Sequence, residues 1–125
     1  MKILGIGVDI VENSRIFKLL KNEFFIKRIF SNSEILIAKK IKDKKSYYSK
    51  RFAAKEAFAK SIGTGFRDKL NFNDISIVND KIGKPSFIIN KKIKEIVKKK
   101  FKTSSFNFFL SISDEKKYSI AYVIL

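Results

Sequence analysis

The period of the apolar positions changes several times along this chain. ILGIGVDIV at 3–11 is apolar at nearly every position, the pattern of a buried strand. From about Ser14 to Phe30 the pattern turns helical, with Ile16, Leu19, Leu20 and Ile26 among its apolar positions. Ser31 with Glu34 three residues later has the form of a capping box, and it leads into a second helical run, ILIAKKI. A third helix is predicted over 47–62, ending at Gly63 as helices often do. Two short strands, at about 74–79 and 85–90, flank the turn residues Asp80 to Lys84, and a basic helix follows over 91–101. The chain closes on FNFFLSIS and YSIAYVIL, two strand-like runs around the turn DEKK. This order of elements is that of an α+β domain. With no repeat, no linker and one proline, residues 1–125 read as a single domain.

Two places break the pattern. RFAAKEAFAKSIGTG at 51–65 has the composition of a buried helix but carries Lys55, Glu56 and Lys60 in its middle. At 100° per residue, Phe52, Glu56, Ala59 and Lys60 share one side, with Ala53 and Ala57 at its edge. Arg51, Lys55, Phe58 and Ile62 share the other. Neither side is purely polar, so the helix is expected to be covered nearly all round. A carboxylate there needs a cation. An i,i+4 pair between Glu56 and Lys60 would supply one, at ~0.3–0.5 kcal/mol when exposed.

The second break lies in GIGVDIVE. Strand alternation puts Gly5, Gly7 and Asp9 on one face and Leu4, Ile6, Val8 and Ile10 on the other. Aspartate is unfavourable in an apolar strand and glycine weakens one. The three together describe a carboxylate beside a gap, with room for another backbone or a ligand. The plainer alternative ends the strand near Val8 and lets Asp9 cap the next turn. Taken together, Asp9 and Glu56 suggest a hard divalent cation whose other ligands are waters and a substrate phosphate, as magnesium usually binds. Lys60, one turn beyond Glu56, reaches the same phosphate, and the GTG that follows offers backbone N–H groups.

Charge and composition narrow the chemistry. Against 12 acidic residues stand 28 lysines and arginines, a formal +16. That excess points to an acidic partner: nucleic acid, an anionic membrane, or an acidic protein or phosphorylated ligand. Lysine far outnumbers arginine, however, and Ile, Asn and Phe are plentiful, so AT-rich coding and a solvated surface explain the same numbers. The absence of cysteine and histidine excludes thiolate nucleophiles, Ser-His triads and zinc held by sulfur or imidazole. No run of about 18 apolar residues exists, so no membrane helix is expected. Asp9 interrupts the apolar region that a signal peptide would need, and a cytoplasmic protein is expected.

GIGVDIVE, FSNSE, RFAAKEAFAKSIGTG, GKP at 83–85 and LSIS at 110–113 occur in this order. Together they resemble the holo-[acyl-carrier-protein] synthases, the small bacterial type of 4′-phosphopantetheinyl transferase, over essentially the whole chain. The resemblance implies an antiparallel sheet packed with helices, in a homotrimer whose active sites lie between protomers. It implies magnesium-dependent transfer of 4′-phosphopantetheine from coenzyme A to a serine of apo acyl carrier protein, releasing adenosine 3′,5′-bisphosphate, in fatty acid biosynthesis. Asp9 and Glu56 match the metal ligands, and Lys60 matches a lysine on the coenzyme phosphates that is implicated in proton transfer. Arg51, Phe52 and Gly63 lie in the segment lining the coenzyme site. Arg15 matches a basic residue that receives the acidic carrier, and Lys18, Lys21 and Arg28 extend that surface. Glu34 matches a glutamate for which helix capping is an adequate explanation. One position departs: Asp114 stands where many members have a histidine, leaving Lys116 or Lys117 to supply a cation, or coenzyme binding to weaken. Two other readings compete, a small basic nucleic-acid-binding module and an inactive scaffold that keeps the fold. The reading adopted expects neither nucleic acid nor a membrane as a partner.

Overall fold

The computed structural model describes residues 2–66 and 69–125. Strand β1 (Ile6–Glu12) leads into three short helices, α1 (Asn13–Leu19), α2 (Glu23–Ile29) and α3 (Asn32–Ala38), and then a long one, α4 (Lys44–Ile62). A single 3-10 turn at Phe72–Asp74 precedes the hairpin of β2 (Ser76–Asn79) and β3 (Pro85–Ile88). Helix α5 (Lys91–Phe101) and the strands β4 (Phe109–Asp114) and β5 (Tyr118–Ile124) complete the chain. The α+β class is as expected. The main sheet is antiparallel with order β1-β5-β4, pairing Gly7 with Val123, Asp9 with Ala121, and Ile112 with Ala121 from the other side.

Helix α4 lies across this sheet, and the glycines of β1 explain how closely. A Cβ built on Gly7 would stand 1.9 Å from the carbonyl oxygen of Ala57, and one on Gly5 1.9 Å from that of Ser61. Only glycine permits this approach. The gap that GIG describes is therefore filled by the backbone of α4. Small residues on the helix complete the contact, since Ala53, Ala54, Ala57 and Ala59 are all buried. Beyond them Phe58 stacks on Phe108 at 4.3 Å and meets the edge of Phe87 at 4.7 Å, tying α4 to the hairpin and to the segment before β4. Asp43 caps the start of α4 by accepting from the Ser46 N–H (3.1 Å), and Gly63 ends it at φ +88°.

Two expectations need correction, and one alternative falls away. The helix expected over 14–30 is two, because the Asn22 side chain accepts from the N–H groups of Phe24 (2.9 Å) and Phe25 (3.4 Å) and starts a new helix. Asp9 caps no turn, for the strand continues to Glu12. Nor is β1 buried on both faces. Its glycine face meets α4, whereas Ile6, Val8 and Ile10 are 57%, 51% and 60% exposed. Across the ladder they are continued by Ile120 and Tyr122, and further along by Phe109 and Tyr118, all exposed. Among the described residues, one side of the sheet is thus an apolar surface without cover.

Candidate functional site

From Arg51 to Ile62 every residue of α4 is buried except Phe52, Glu56 and Lys60. These stand at i, i+4 and i+8, one stripe of the helix. So the helix is covered nearly all round, as its pattern predicts, and the uncovered line is the one that carries the candidate chemistry. Asp9 reaches that line from β1: its Oδ1 accepts from Lys60 Nζ at 3.2 Å, and the same ammonium donates to the Val8 carbonyl at 3.0 Å. The i,i+4 pair of Glu56 with Lys60 does not form. Among the described residues Glu56 has no ion-pair partner.

The electrostatics follow. Burial pushes the carboxyl groups of Asp9 and Glu56 above their ordinary values of 3.8 and 4.5. Glu56 is raised further by the charge of Asp9, and Lys60 opposes the rise in both. Two partly desolvated carboxylates, with one lysine bonded to Asp9, leave the site short of positive charge. A hard cation with oxygen preference relieves that shortage. No group of three or more potential metal ligands exists among the described residues, so a cage built wholly of protein is not available. Two carboxylates completed by waters and a phosphate suit magnesium. The donor set fits the ion.

The residues matched to the coenzyme site divide into two groups. Phe52 belongs to the stripe and stacks on Phe72 with centroids 5.7 Å apart. Gly63 ends the same helix beside Lys100, whose Nζ would lie 2.9 Å from a Cβ built there. Arg51 is elsewhere. It lies on the far side of α4, stacked 3.7 Å over the Tyr47 ring, with Nη2 donating to Asn79 Oδ1 at 2.7 Å and Nη1 to the Tyr47 carbonyl at 3.4 Å. Burial holds its guanidinium below its ordinary value, and its Nε has no partner among the described residues. It borders a cavity of about 530 Å³ with Ile37, Ser46, Lys50 and Asn79. Asp114 belongs to this second group, for it accepts from Ser46 Oγ at 3.0 Å. Lys116 and Lys117 line another cavity with Lys45.

Arg15 and Lys18 on α1, Lys21 after it and Arg28 on α2 are all exposed. Mixed with them are Phe17, Leu19 and Phe24, 51%, 39% and 85% exposed, which the charge pattern alone passes over. This basic surface therefore has apolar anchors.

A further pair escapes the sequence reading. The capping box of Ser31 and Glu34 forms as expected. Glu34 also accepts from Lys55 Nζ at 2.6 Å, with both side chains fully buried. Lys55 within FAAKEAF is the signal that a buried partner is needed, but nothing in FSNSE names Glu34 as that partner.

Comparison with known proteins agrees with this architecture. A family model described as 4′-phosphopantetheinyl transferase superfamily matches residues 5–123. A holo-[acyl-carrier-protein] synthase of Pelagibacter ubique is 78% identical over 125 residues, covering 100% of this chain and 98% of the relative. That of Vibrio atlanticus is 40% identical, at 100% and 98% coverage. Among solved structures, the holo-[acyl-carrier-protein] synthase of Neisseria meningitidis superposes with a TM-score of 0.89 at 38% identity, covering 98% of each chain. That of Bacillus anthracis, in complex with CoA (3′,5′-ADP), gives 0.80 at 36% identity, covering 98% of this chain and 95% of that one. The chain belongs to the 4′-phosphopantetheinyl transferase superfamily, within its holo-[acyl-carrier-protein] synthases.

Proposed function

We propose that this chain transfers the 4′-phosphopantetheine group of coenzyme A to a serine of apo acyl carrier protein, with magnesium held by Asp9 and Glu56. The observation that carries this reading is the single uncovered stripe of α4. It sets Phe52, Glu56 and Lys60 in one line, with Asp9 of β1 bonded to Lys60. The relatives' coenzyme-bound structures support the same ligand here. The retained Asp9, Glu56 and Lys60 speak for a working enzyme rather than a scaffold, and a nucleic-acid module has no use for carboxylates in this position.

In the reaction the carrier serine hydroxyl gives its proton to water, its oxygen bonds to the β-phosphorus, and the bond from that phosphorus to the bridging oxygen breaks. Adenosine 3′,5′-bisphosphate leaves with the electron pair. Magnesium, when bound, neutralises charge growing on the phosphate oxygens. Lys60 gives up its bond to the Val8 carbonyl and turns its ammonium to the phosphates, adding a positioned charge where negative charge develops. Phe52 and the alanines behind it keep the wall apolar, which strengthens each of these interactions. Chelation of the metal should stop transfer, and added magnesium should restore it; transfer at full rate in excess chelator would overturn the assignment.

The second group, Arg51 with Asn79 and Asp114, lies on the opposite side of α4 from Glu56. One small ligand touching both groups is bound between two copies of the chain. The exposed apolar sheet face gives those copies a surface to share, and a homotrimer is the assembly proposed. The acidic carrier is received by Arg15, Lys18, Lys21 and Arg28, with Phe17 and Phe24 supplying apolar contact. Such a face steers an acidic partner and speeds its association. Arg15→Glu is expected to raise the KM for carrier protein about tenfold, equivalent to ~1.4 kcal/mol. The KM for coenzyme A should hardly move, and equal effects on both would contradict the docking role. For the departure, Asp114→His is expected to leave turnover intact and to tighten coenzyme binding. A large loss of turnover would mean that the Asp114–Ser46 bond has a role of its own.

No helix of the described residues is long and apolar enough to cross a membrane. Work in the cytoplasm and a place in fatty acid biosynthesis follow from the proposed substrates.

A further inference from the structure

We propose that the buried Lys55–Glu34 pair is the positioning element of this site: it sets the rotation of α4 and with it the place of Glu56. The proposal rests on the transferase reading above. Lys55 Nζ donates to Glu34 Oε1 at 2.6 Å and to the carbonyls of Ile29 (2.9 Å), Ile75 (2.6 Å) and Phe72 (3.1 Å). Glu34 in turn accepts from the N–H groups of Ser31 (2.9 Å, at Oε1) and Ile77 (3.0 Å, at Oε2). Three N–H bonds of one ammonium are thus shared among four acceptors. The end of α2, the start of α3, the 3-10 turn and the start of β2 are all tied to α4 at one atom.

Stability alone is a poor account of this arrangement. A buried ion pair is often no more stabilising than well-packed apolar residues of the same volume. What the pair supplies is direction. The face of α4 against the sheet is glycine on alanine, which allows close approach but has little relief to resist sliding or turning. Lys55 is the residue immediately before Glu56, so any turn of the helix that moves one moves the other. The Phe72 carbonyl is held by the same ammonium, and the Phe72 ring stacks on Phe52, one turn before Glu56 on the uncovered stripe. The Ile29 carbonyl follows directly on Arg28 of the basic face. One buried cation therefore indexes the metal carboxylate, the aromatic wall and the docking helix to each other.

The test separates position from stability. In the double variant Lys55→Met with Glu34→Leu both charges go together, so no buried charge is left unpaired. The N–H groups of Ser31 and Ile77 and the carbonyls of Ile29, Phe72 and Ile75 lose their partners, so the thermal midpoint is expected to fall and kcat is read well below it. The expected result is a kcat lower by roughly 10–100-fold, the range seen when groups supporting metal ligands are removed. The KM for coenzyme A should change little, and amide exchange should be faster at 29–31 and 72–77. Parental kcat in a stable double variant would overturn the proposal. Should that variant fail to fold, Glu34→Gln decides: it keeps shape but leaves Lys55 unpaired and lowers the midpoint, so kcat is compared well below that midpoint, where a lower kcat supports the proposal and a parental kcat overturns it. The unmodified chain is assayed alongside. If it transfers nothing, the transferase reading fails, while the exchange measurement still reports whether the pair holds these segments in place.

Discussion

Asp9→Ala and Glu56→Ala are each expected to abolish magnesium-dependent transfer and to leave a folded chain. In the proposed assignment these two carboxylates are, among the described residues, the ligands the protein offers the metal, and a metal that neutralises transferring phosphate contributes several kcal/mol to the transition state. Losing it costs on the order of 10³-fold or more in rate, at ~1.36 kcal/mol per factor of ten. The fold survives because neither carboxylate holds the core together. Their contribution to stability in fact runs the other way. A carboxyl group whose value is raised by folding favours the native state at low pH and loses that contribution as pH rises through the raised value. Without metal, Glu56→Gln should therefore melt higher than the parent near neutral pH, and the difference should vanish below about 4, where both states hold the proton. Added magnesium should stabilise the parent and not the variant. Normal turnover in either alanine variant would remove the metal assignment.

Ile120→Glu combined with Tyr122→Glu is expected to separate the protomers and to extinguish activity with them. These side chains stand 40% and 42% exposed on β5, opposite Ile10 and Val8 across the ladder. The face they share with Ile6 is a contiguous apolar surface of the kind that marks an interface between proteins. Burying two unpaired carboxylates in it is prohibitively costly. Activity should follow assembly because Glu56 and Arg51 lie on opposite sides of α4, so a coenzyme touching both needs two chains. The variant is expected to sediment as a monomer and to lose nearly all transfer. A monomer with parental turnover would place the whole site within one chain.

How much of this was legible in the sequence depends on what each signal reports. Helix α5 and strand β5 match their predicted spans because long, regular periodicity is a local property. The break after Leu20 was hidden because Leu19, Leu20, Phe25 and Ile26 keep helical spacing across it; the deciding group is the Asn22 side chain, which starts a new helix. In β1 the alternation was right and the burial was not. Periodicity shows that Ile6, Val8 and Ile10 share a face, but not whether the same chain or another copy covers it. Asp9, Glu56 and Lys60 were found together because charges in apolar elements are anomalies that need explaining. Lys55 was equally anomalous, yet its partner Glu34 already had an adequate local role at a helix start. The pairing is tertiary, and no local pattern announces it. Arg51 was placed with the other coenzyme residues by its neighbourhood in sequence, whereas one helix can present adjacent residues to two different sides.

The central claim is a reaction, and the most direct measurement is the mass of its product. Apo acyl carrier protein incubated with this chain, coenzyme A and magnesium should gain the mass of one phosphopantetheine on a single serine, and should gain nothing when Asp9 is replaced. An unchanged carrier mass with the intact chain and metal present would contradict the account.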